Sequence, residues 1–305
     1  MNKLKASVIV PTYNRKKLLN YTLESLSKQT MNKEEYEIII CDDGSNDNTF
    51  ELIRKYEKMM NIKYCYHTHD SFRVALTRNM GINIARGEIC IFIDSGMIAC
   101  TNFVEEHYKE HNKFENKCVV LGNILGFKTN VENENKLKLL CNLNDLDYSF
   151  KKISLKEEFR DEREITINHI GKDMRIWPAP WIYFWSGNIS VRKDELEEVG
   201  LFDENYIGWG GEDTDLGIRL YLKGLRYVYS DNAQAIHYPH PQTSINKEEF
   251  QNRVIQRKKS LCKKYSSKVP EMKFWLQIGS TGLNNFLFDN AKFMKNVATR
   301  SLNLT

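Results

Sequence analysis

Four short apolar runs alternate with three stretches of helical period in the first hundred residues, and this order restricts the fold more than any other feature of the chain. The runs are "ASVIVPTY", "YEIIICDDGS", "IKYCYHT" and "EICIFID". Between them Leu18, Leu19, Leu23 and Leu26 recur at helical spacing, as do Leu52, Ile53, Tyr56 and Met60, and "RVALTRNMGINIA" is a third helical stretch closed by Arg86-Gly87. Continuous apolar strands separated by helices predict a parallel sheet covered on both faces. Ligands of such sheets lie at the carboxyl ends of the strands, near the point where strand order reverses. Pro11-Thr12-Tyr13, Asp42-Asp43 and Asp94 all stand at such ends, so the strand order gathers them into one crevice.

The rest of the chain is less regular. Residues 128–175 are charged, Asn-rich and weakly periodic, which predicts one or two helices with loops. "WPAPWIYFWSGNISVRKDELEEVG" places Trp177, Trp181 and Trp185 within nine residues, ahead of a polar turn and a short helix. "NYIGWGGEDTDLGIRLYLKG" reads as a glycine-rich loop running into a helix, and "LRYVYSDNAQAIHYPHP" as two strands. The last sixty residues read as amphipathic helix, with Phe250, Val254, Ile255 and Leu261 on one side.

With 41% hydrophobic and 28% charged residues the chain reads as a globular protein. It contains no apolar run of about 18 residues, and "MNKLKASVIV" lacks a secretory h-region with a cleavage site. The expected location is therefore cytoplasmic, with peripheral contact at the inner face of the membrane. Seven cysteines without a CxxC pair read as reduced thiols, neither a disulfide framework nor a zinc site. From Asn246 onward twelve Lys/Arg face four Asp/Glu, so the tail carries +8 and the remainder −4. Such a tail suits an anionic membrane surface, an acidic acceptor or an oligomer contact, and equally a solvated helix face. It lacks the interleaved aromatic and basic pattern of a nucleic-acid-binding module.

Several residues carry chemistry. Asp42 and Asp43 precede the Gly44-Ser45 turn, where a carboxylate can accept from a nucleobase imide or a ribose hydroxyl, or simply make the turn. Asp94 ends an apolar strand with no helix to cap. A Mg²⁺ or Mn²⁺ ion on a diphosphate needs only one or two protein ligands, so one acid suffices for such a site. In "GWGGEDTDLG", Gly208, Gly210 and Gly211 admit close backbone approach, Trp209 offers a flat face for a sugar ring, and Glu212 and Asp213 open a helix. Capping alone would need neither the glycines nor the tryptophan. His237 ends a strand, and His240 stands in a proline-flanked loop. Arg73 and Arg78 flank the start of the third helix, where a guanidinium can pair with a pyrophosphate or with a surface acid.

Together "SVIVPTYNR", "EIIICDDGSNDNT", "RNMGINIARGEICIFIDSG" and "GWGGEDTDLGIRLYLKG…AIHYPHP" resemble the family 2 glycosyltransferases of GT-A fold. The later half resembles the galactosyltransferase-type C-terminal module of bacterial chondroitin-polymerase-like enzymes and animal β-1,4-galactosyltransferases. The match covers residues 7–97 and 186–239. It implies an α/β GT-A fold, with residues 1–125 as the nucleotide-sugar half, 126–245 as the acceptor and catalytic half, and 246–305 as a basic helical extension. It implies an inverting hexosyltransferase that uses a UDP-sugar and an acceptor hydroxyl on a glycan, lipid-linked sugar, peptide or small metabolite, in a role such as polysaccharide biosynthesis. Pro11, Thr12, Tyr13, Asp43 (or Asp42), Arg78, Asp94 and Ser95 would hold the donor. Asp213 would be the general base with Glu212 beside it, Trp209, Gly210, Gly211 and Trp185 would meet the sugars, and the acceptor would be read by the middle segment with Trp177, Trp181 and Trp185. Asp94 and His237 would ligate Mn²⁺ or Mg²⁺.

The sequence departs from that family at Gly96, where a second metal-binding acid is usual. The departure implies a weakly bound metal. It also leaves open a metal-independent reaction aided by Arg73 or Arg78, and a chain that binds nucleotide sugar without turning it over. A nucleotidyltransferase fits less well, because the first strand lacks a glycine- and base-rich phosphate loop.

Overall fold

The computed structural model describes residues 4–114, 117–241 and 247–290. Strand β1 (Ala6–Thr12) leads to helix α1 (Lys16–Leu26), β2 (Tyr36–Asp42) to α2 (Thr49–Tyr56), and β3 (Ile62–Tyr66) to α3 (Val74–Ile84), ahead of β4 (Ile89–Ile93). Strands β2 and β4 are buried along their whole length, as the apolar runs of residues 38–41 and 89–93 demand, while Glu37 of β2 is buried on Ser7 and Lys63. Strand β1 pairs in parallel with β2 on one side and β4 on the other, so the order reverses at β1 and a crevice opens above its carboxyl end.

The chain then adds β5 (Met97–Ala99), α4 (Phe103–Lys113), β6 (Cys118–Leu125), α5 (Val131–Leu140), α6 (Leu146–Ser154) and α7 (Glu164–Ile170). After these come β7 (Asn188–Arg192), α8 (Lys193–Glu198), α9 (Glu212–Lys223), β8 (Arg226–His237), α10 (Lys247–Tyr265), α11 (Met272–Ile278) and α12 (Ser280–Asp289). Among the described residues eight strands join one sheet in the order β3-β2-β1-β4-β7-β6-β8-β5. Strand β7 is antiparallel to both neighbours, β4 and β6, while β6 and β8 run parallel. With helices on its faces this mixed, mostly parallel sheet is the α/β architecture that the resemblance implies.

Three local outcomes differ from the sequence reading. The segment read as two strands is the single strand β8. Its polar centre, with Asp231 and Asn232 exposed, is accommodated by a register shift between Gly122 and Ile124 of β6. The weakly periodic middle holds three α-helices, two of them capped by Asn130 and Asp145 side chains that accept from Asn133 N and Tyr148 N. Trp177 and Trp181 are 1% and 0% exposed, so they build core and cannot meet an acceptor.

The C-terminal segment belongs to the same core, although Asn246 and residues 291–305 lie outside the described residues. Leu261, Tyr265, Val269, Met272, Trp275, Leu283 and Leu287 are buried in one cluster with Phe92 of β4 and Ile189 of β7. The rings of Trp181 and Trp275 meet edge to face at 5.7 Å. Each such side chain contributes about 1.5–3 kcal/mol when buried. Ile255, expected on the apolar side, is instead 45% exposed.

Candidate active site

The site is built from the ends of β1, β2 and β4. Backbone and side-chain bonds tie the first two loops together: Asn14 N donates to Ser45 Oγ at 2.8 Å, Asn46 N to Asn14 Oδ1 at 2.8 Å, and Lys16 N to Asp47 Oδ2 at 2.8 Å. The two acids at the end of β2, equal in the sequence, differ here. Asp42 accepts from Ser45 N and from the Tyr64 hydroxyl, each at 2.8 Å, so both its oxygens serve the turn and β3. Asp43 is not tied down in this way. Its Oδ1 lies 3.1 Å from His67 Nε2 and 3.2 Å from His69 Nδ1, at angles that make no hydrogen bond. Tyr13 stacks on His69 with centroids 4.0 Å apart and planes at 13°. Gly44 allows this arrangement: its φ is +81°, and a Cβ there would stand 2.4 Å from His69 N. The sequence reading did not single out His67 or His69. Their only signal was position, directly beyond the end of β3 beside the Asp42-Asp43 pair.

The end of β4 is joined to the far half of the chain by Arg78. Its buried guanidinium donates from Nη2 to Asp94 Oδ1 and from Nη1 to Glu212 Oε1, both at 3.1 Å, and lies 5.5 Å from the Phe202 ring centroid. The Asp94 side chain is 46% exposed, whereas that of Glu212 is 7% exposed. Ser95 Oγ donates to Pro11 O at 2.6 Å, so this hydroxyl fastens β4 to β1. Gly96 has φ +99°, and a Cβ built on it would face Leu18 of α1 at 3.4 Å.

Asp213 follows Glu212 in the first turn of α9. Burial, reinforced by the neighbouring Glu212 carboxylate, pushes its carboxyl up to about 7, while Arg78 acts in the opposite sense. A helix N-terminus favours negative charge, yet burial outweighs that effect here. Thr12 Oγ1, Arg78 Nε and Glu212 Oε2 are buried here without a hydrogen-bond partner. Orphaned polar atoms are costly in a folded chain, and a polar ligand would satisfy them.

His237 is register-paired with Met97 beside this cluster. Burial, then the neighbouring His240, pulls its imidazole down to about 4, with Asp94 opposing, so it is neutral near pH 7 and able to ligate a metal. Its ring meets Phe127 edge on at 5.5 Å, and Phe127 stacks on Trp185 at 5.3 Å and 11°. Among the described residues no group of three His, Cys, Asp or Glu could hold a metal ion. The donor set therefore fits a divalent cation only as a carboxylate and an imidazole, with the remaining positions falling to oxygens of a diphosphate or water. Among the described residues no helix is long and apolar enough to cross a membrane.

A family model described as glycosyl transferase family 2 matches residues 7–175. The chain belongs to glycosyl transferase family 2. A second model, described as the N-terminal domain of galactosyltransferase, matches residues 169–241 of this family 2 chain. It is 33% identical over 237 residues to the validoxylamine A glucosyltransferase of Streptomyces hygroscopicus subsp. limoneus, covering 78% of this chain and 52% of that protein. It is 29% identical over 246 residues to the chondroitin synthase of Pasteurella multocida, covering 77% and 25%. This family 2 chain thus spans about half of the first relative and a quarter of the second. Among solved structures, a TarS fragment of Staphylococcus aureus in complex with UDP-GlcNAc aligns with TM-score 0.59 and 18% identity over 99% of this chain and 84% of that one. A mannosyltransferase from Pyrobaculum calidifontis, in complex with GDP-Man and Mn²⁺, aligns with TM-score 0.62 and 13% identity over 100% and 77%. At these identities the likeness concerns the GT-A fold.

Proposed function

We propose that the chain is an inverting glycosyltransferase that moves a hexose from a UDP-sugar to an acceptor hydroxyl, with Asp213 as general base. One observation carries the reading: Arg78 joins Asp94 to Glu212, so the end of β4 and the first turn of α9 face one cleft. Tyr13, His69, Asp43 and Thr12 would form the nucleoside end. Trp209, 49% exposed, would meet a sugar ring, with Gly210, Gly211 and the half-buried Trp185 near the acceptor. The relatives named for glucosyl transfer and chondroitin synthesis, and the neighbour bound to UDP-GlcNAc, support a UDP-sugar donor and a glycan acceptor.

In the reaction the acceptor oxygen attacks the anomeric carbon from the face opposite the nucleotide and passes its proton to Asp213. The new carbon–oxygen bond forms as the bond to the diphosphate breaks, and the electron pair leaves with UDP. A single displacement inverts the configuration, so an α-linked donor gives a β-linked product. Asp94 and His237 would hold Mn²⁺ or Mg²⁺, which would neutralise charge on the departing diphosphate.

A hydrolysis and transfer screen across UDP-sugars, with and without Mn²⁺, tests the proposal. Release of UDP from one of them, faster with acceptor, is the expected result. UDP binding by calorimetry without any hydrolysis or transfer would instead identify a nucleotide-sugar-binding subunit.

A further inference from the structure

The loop Tyr206–Gly211 carries the exposed Trp209 and leads directly into Glu212 and Asp213. Gly208, Gly210 and Gly211 sit at φ of +87°, +88° and +99°, so the loop owes little of its shape to its own side chains. Its supports come from outside. Gly208 N donates to Phe72 O at 2.8 Å. Further supports come from α10, the helix whose positive charge the sequence left unassigned. Arg257 Nη2 donates to Ile207 O, and the same guanidinium lies 5.2 Å from the Tyr206 ring centroid. Phe250 packs on Trp209 with centroids 4.8 Å apart. A Cβ on Gly208 would stand 3.0 Å from Arg253 Nη1.

Helix α10 is in turn fixed to the catalytic helix. Buried Asp215 of α9 accepts from Tyr265 Oη at 2.7 Å, from Lys264 Nζ at 2.8 Å and from Tyr206 Oη at 3.3 Å. One carboxylate thus joins the loop, α9 and the far end of α10.

We infer that α10 is the positioning element of the active-site loop, with Arg257 as its central contact. Arg257 fixes the Ile207 carbonyl and the Tyr206 ring, which places Trp209 and, through Gly211, the Glu212–Asp213 pair. Phe250 limits the tilt of the Trp209 ring. Arg257 touches no reacting atom in this scheme, so it is a positioning residue. The placement of the loop stands on geometry alone, whereas its effect on turnover rests on the glycosyltransferase reading.

The test uses the full chain with Arg257→Ala, Arg257→Lys and Phe250→Ala, and three readouts. Acrylamide quenching of tryptophan emission, with Trp209→Phe to isolate that residue's share, follows the loop. Calorimetry with UDP follows the nucleoside end, and UDP-glucose hydrolysis separates kcat from KM. Arg257→Ala and Phe250→Ala should raise the Trp209 quenching constant. Arg257→Ala should lower kcat by about 10-fold while KM and UDP affinity stay within about 2-fold, since misplacement near 1 Å can cost up to about 10²-fold. Arg257→Lys keeps one donor for Ile207 O and should recover part of kcat. Unchanged Trp209 quenching in both alanine variants overturns the inference, as does a kcat loss matched by an equal loss of UDP affinity. Phe250→Ala keeps the test decisive if Arg257→Ala fails to fold. A wild-type chain that binds no UDP would refute the enzymatic reading instead, and the quenching result would still decide the role of α10.

Discussion

Arg78 and Glu212, 134 positions apart in sequence, meet at 3.1 Å between Nη1 and Oε1. This contact joins α3 to α9, the helix that carries Asp213. The guanidinium also holds Asp94, so a single buried cation orders two acids far apart in sequence.

Replacing Arg78 by Met keeps the volume and removes the charge. Glu212 is then left buried without its cation, at a cost of about 3 kcal/mol. Thermal denaturation should show a clear fall in Tm, and UDP-sugar turnover should be lost even where the variant remains folded. A variant as stable and active as the wild type would remove Arg78 from the site.

In its proposed role as general base, Asp213 should set a pH profile. A base pushed up to about 7 is protonated in acid, so kcat/KM should rise with pH through about 7. Asp213→Asn should lower kcat by about 10²- to 10⁴-fold. Glu212→Gln removes a like charge, so the acid limb of its residual activity should shift to lower pH. Stability responds with the opposite sign. The folded carboxyl binds a proton up to about pH 7, the unfolded one only to about 3.9, so this group lowers stability as pH rises between those values. Asn at 213 should therefore melt higher than wild type at pH 8.

Restoring the acid usual in the family at position 96 should not tighten metal binding. The backbone has φ +99°, and a side chain would begin against Leu18, so Gly96→Asp should lower Tm. Manganese titrations of activity check this. Half-saturation should be unimproved in Gly96→Asp and should rise in His237→Ala. Full wild-type activity in EDTA would exclude a metal role for Asp94 and His237.

Removing the chain from Asn246 should unfold the protein rather than merely discharge it. The deletion strips Leu261, Tyr265, Met272 and Trp275 from the core. The shortened chain should be insoluble or lack a cooperative melt. A soluble, cooperatively folded truncation would show that α10–α12 are dispensable. Liposome co-sedimentation is better tested by reversing the exposed Lys259 and Lys263.

Strands β2 and β4 were legible because they are buried on both faces and carry the apolar runs "IIIC" and "ICIFI". Strand β7 escaped because its short run "NISVR" mixes polar and apolar residues, and β8 was split in two because its polar centre imitates a turn. Asp94, Glu212, Asp213 and His237 could be picked out by type and by place at element ends. Their link through Arg78 could not, since a tertiary ion pair leaves no local pattern. The same holds for the Tyr13–His69 stack and for Phe127, each created only when separate loops converge. Trp177 and Trp181 misled because an aromatic cluster looks alike whether it lines a cleft or fills a core.

The placement of β7 between β4 and β6 also constrains protein engineering. A break after Leu125 would strip both strands of their common hydrogen-bonding partner, so neither fragment would inherit a finished sheet. Chimeras meant to swap sugar preference should therefore graft loops at the strand ends instead of splicing one half onto another, and a two-piece version would be expected to regain activity only when its pieces are refolded together.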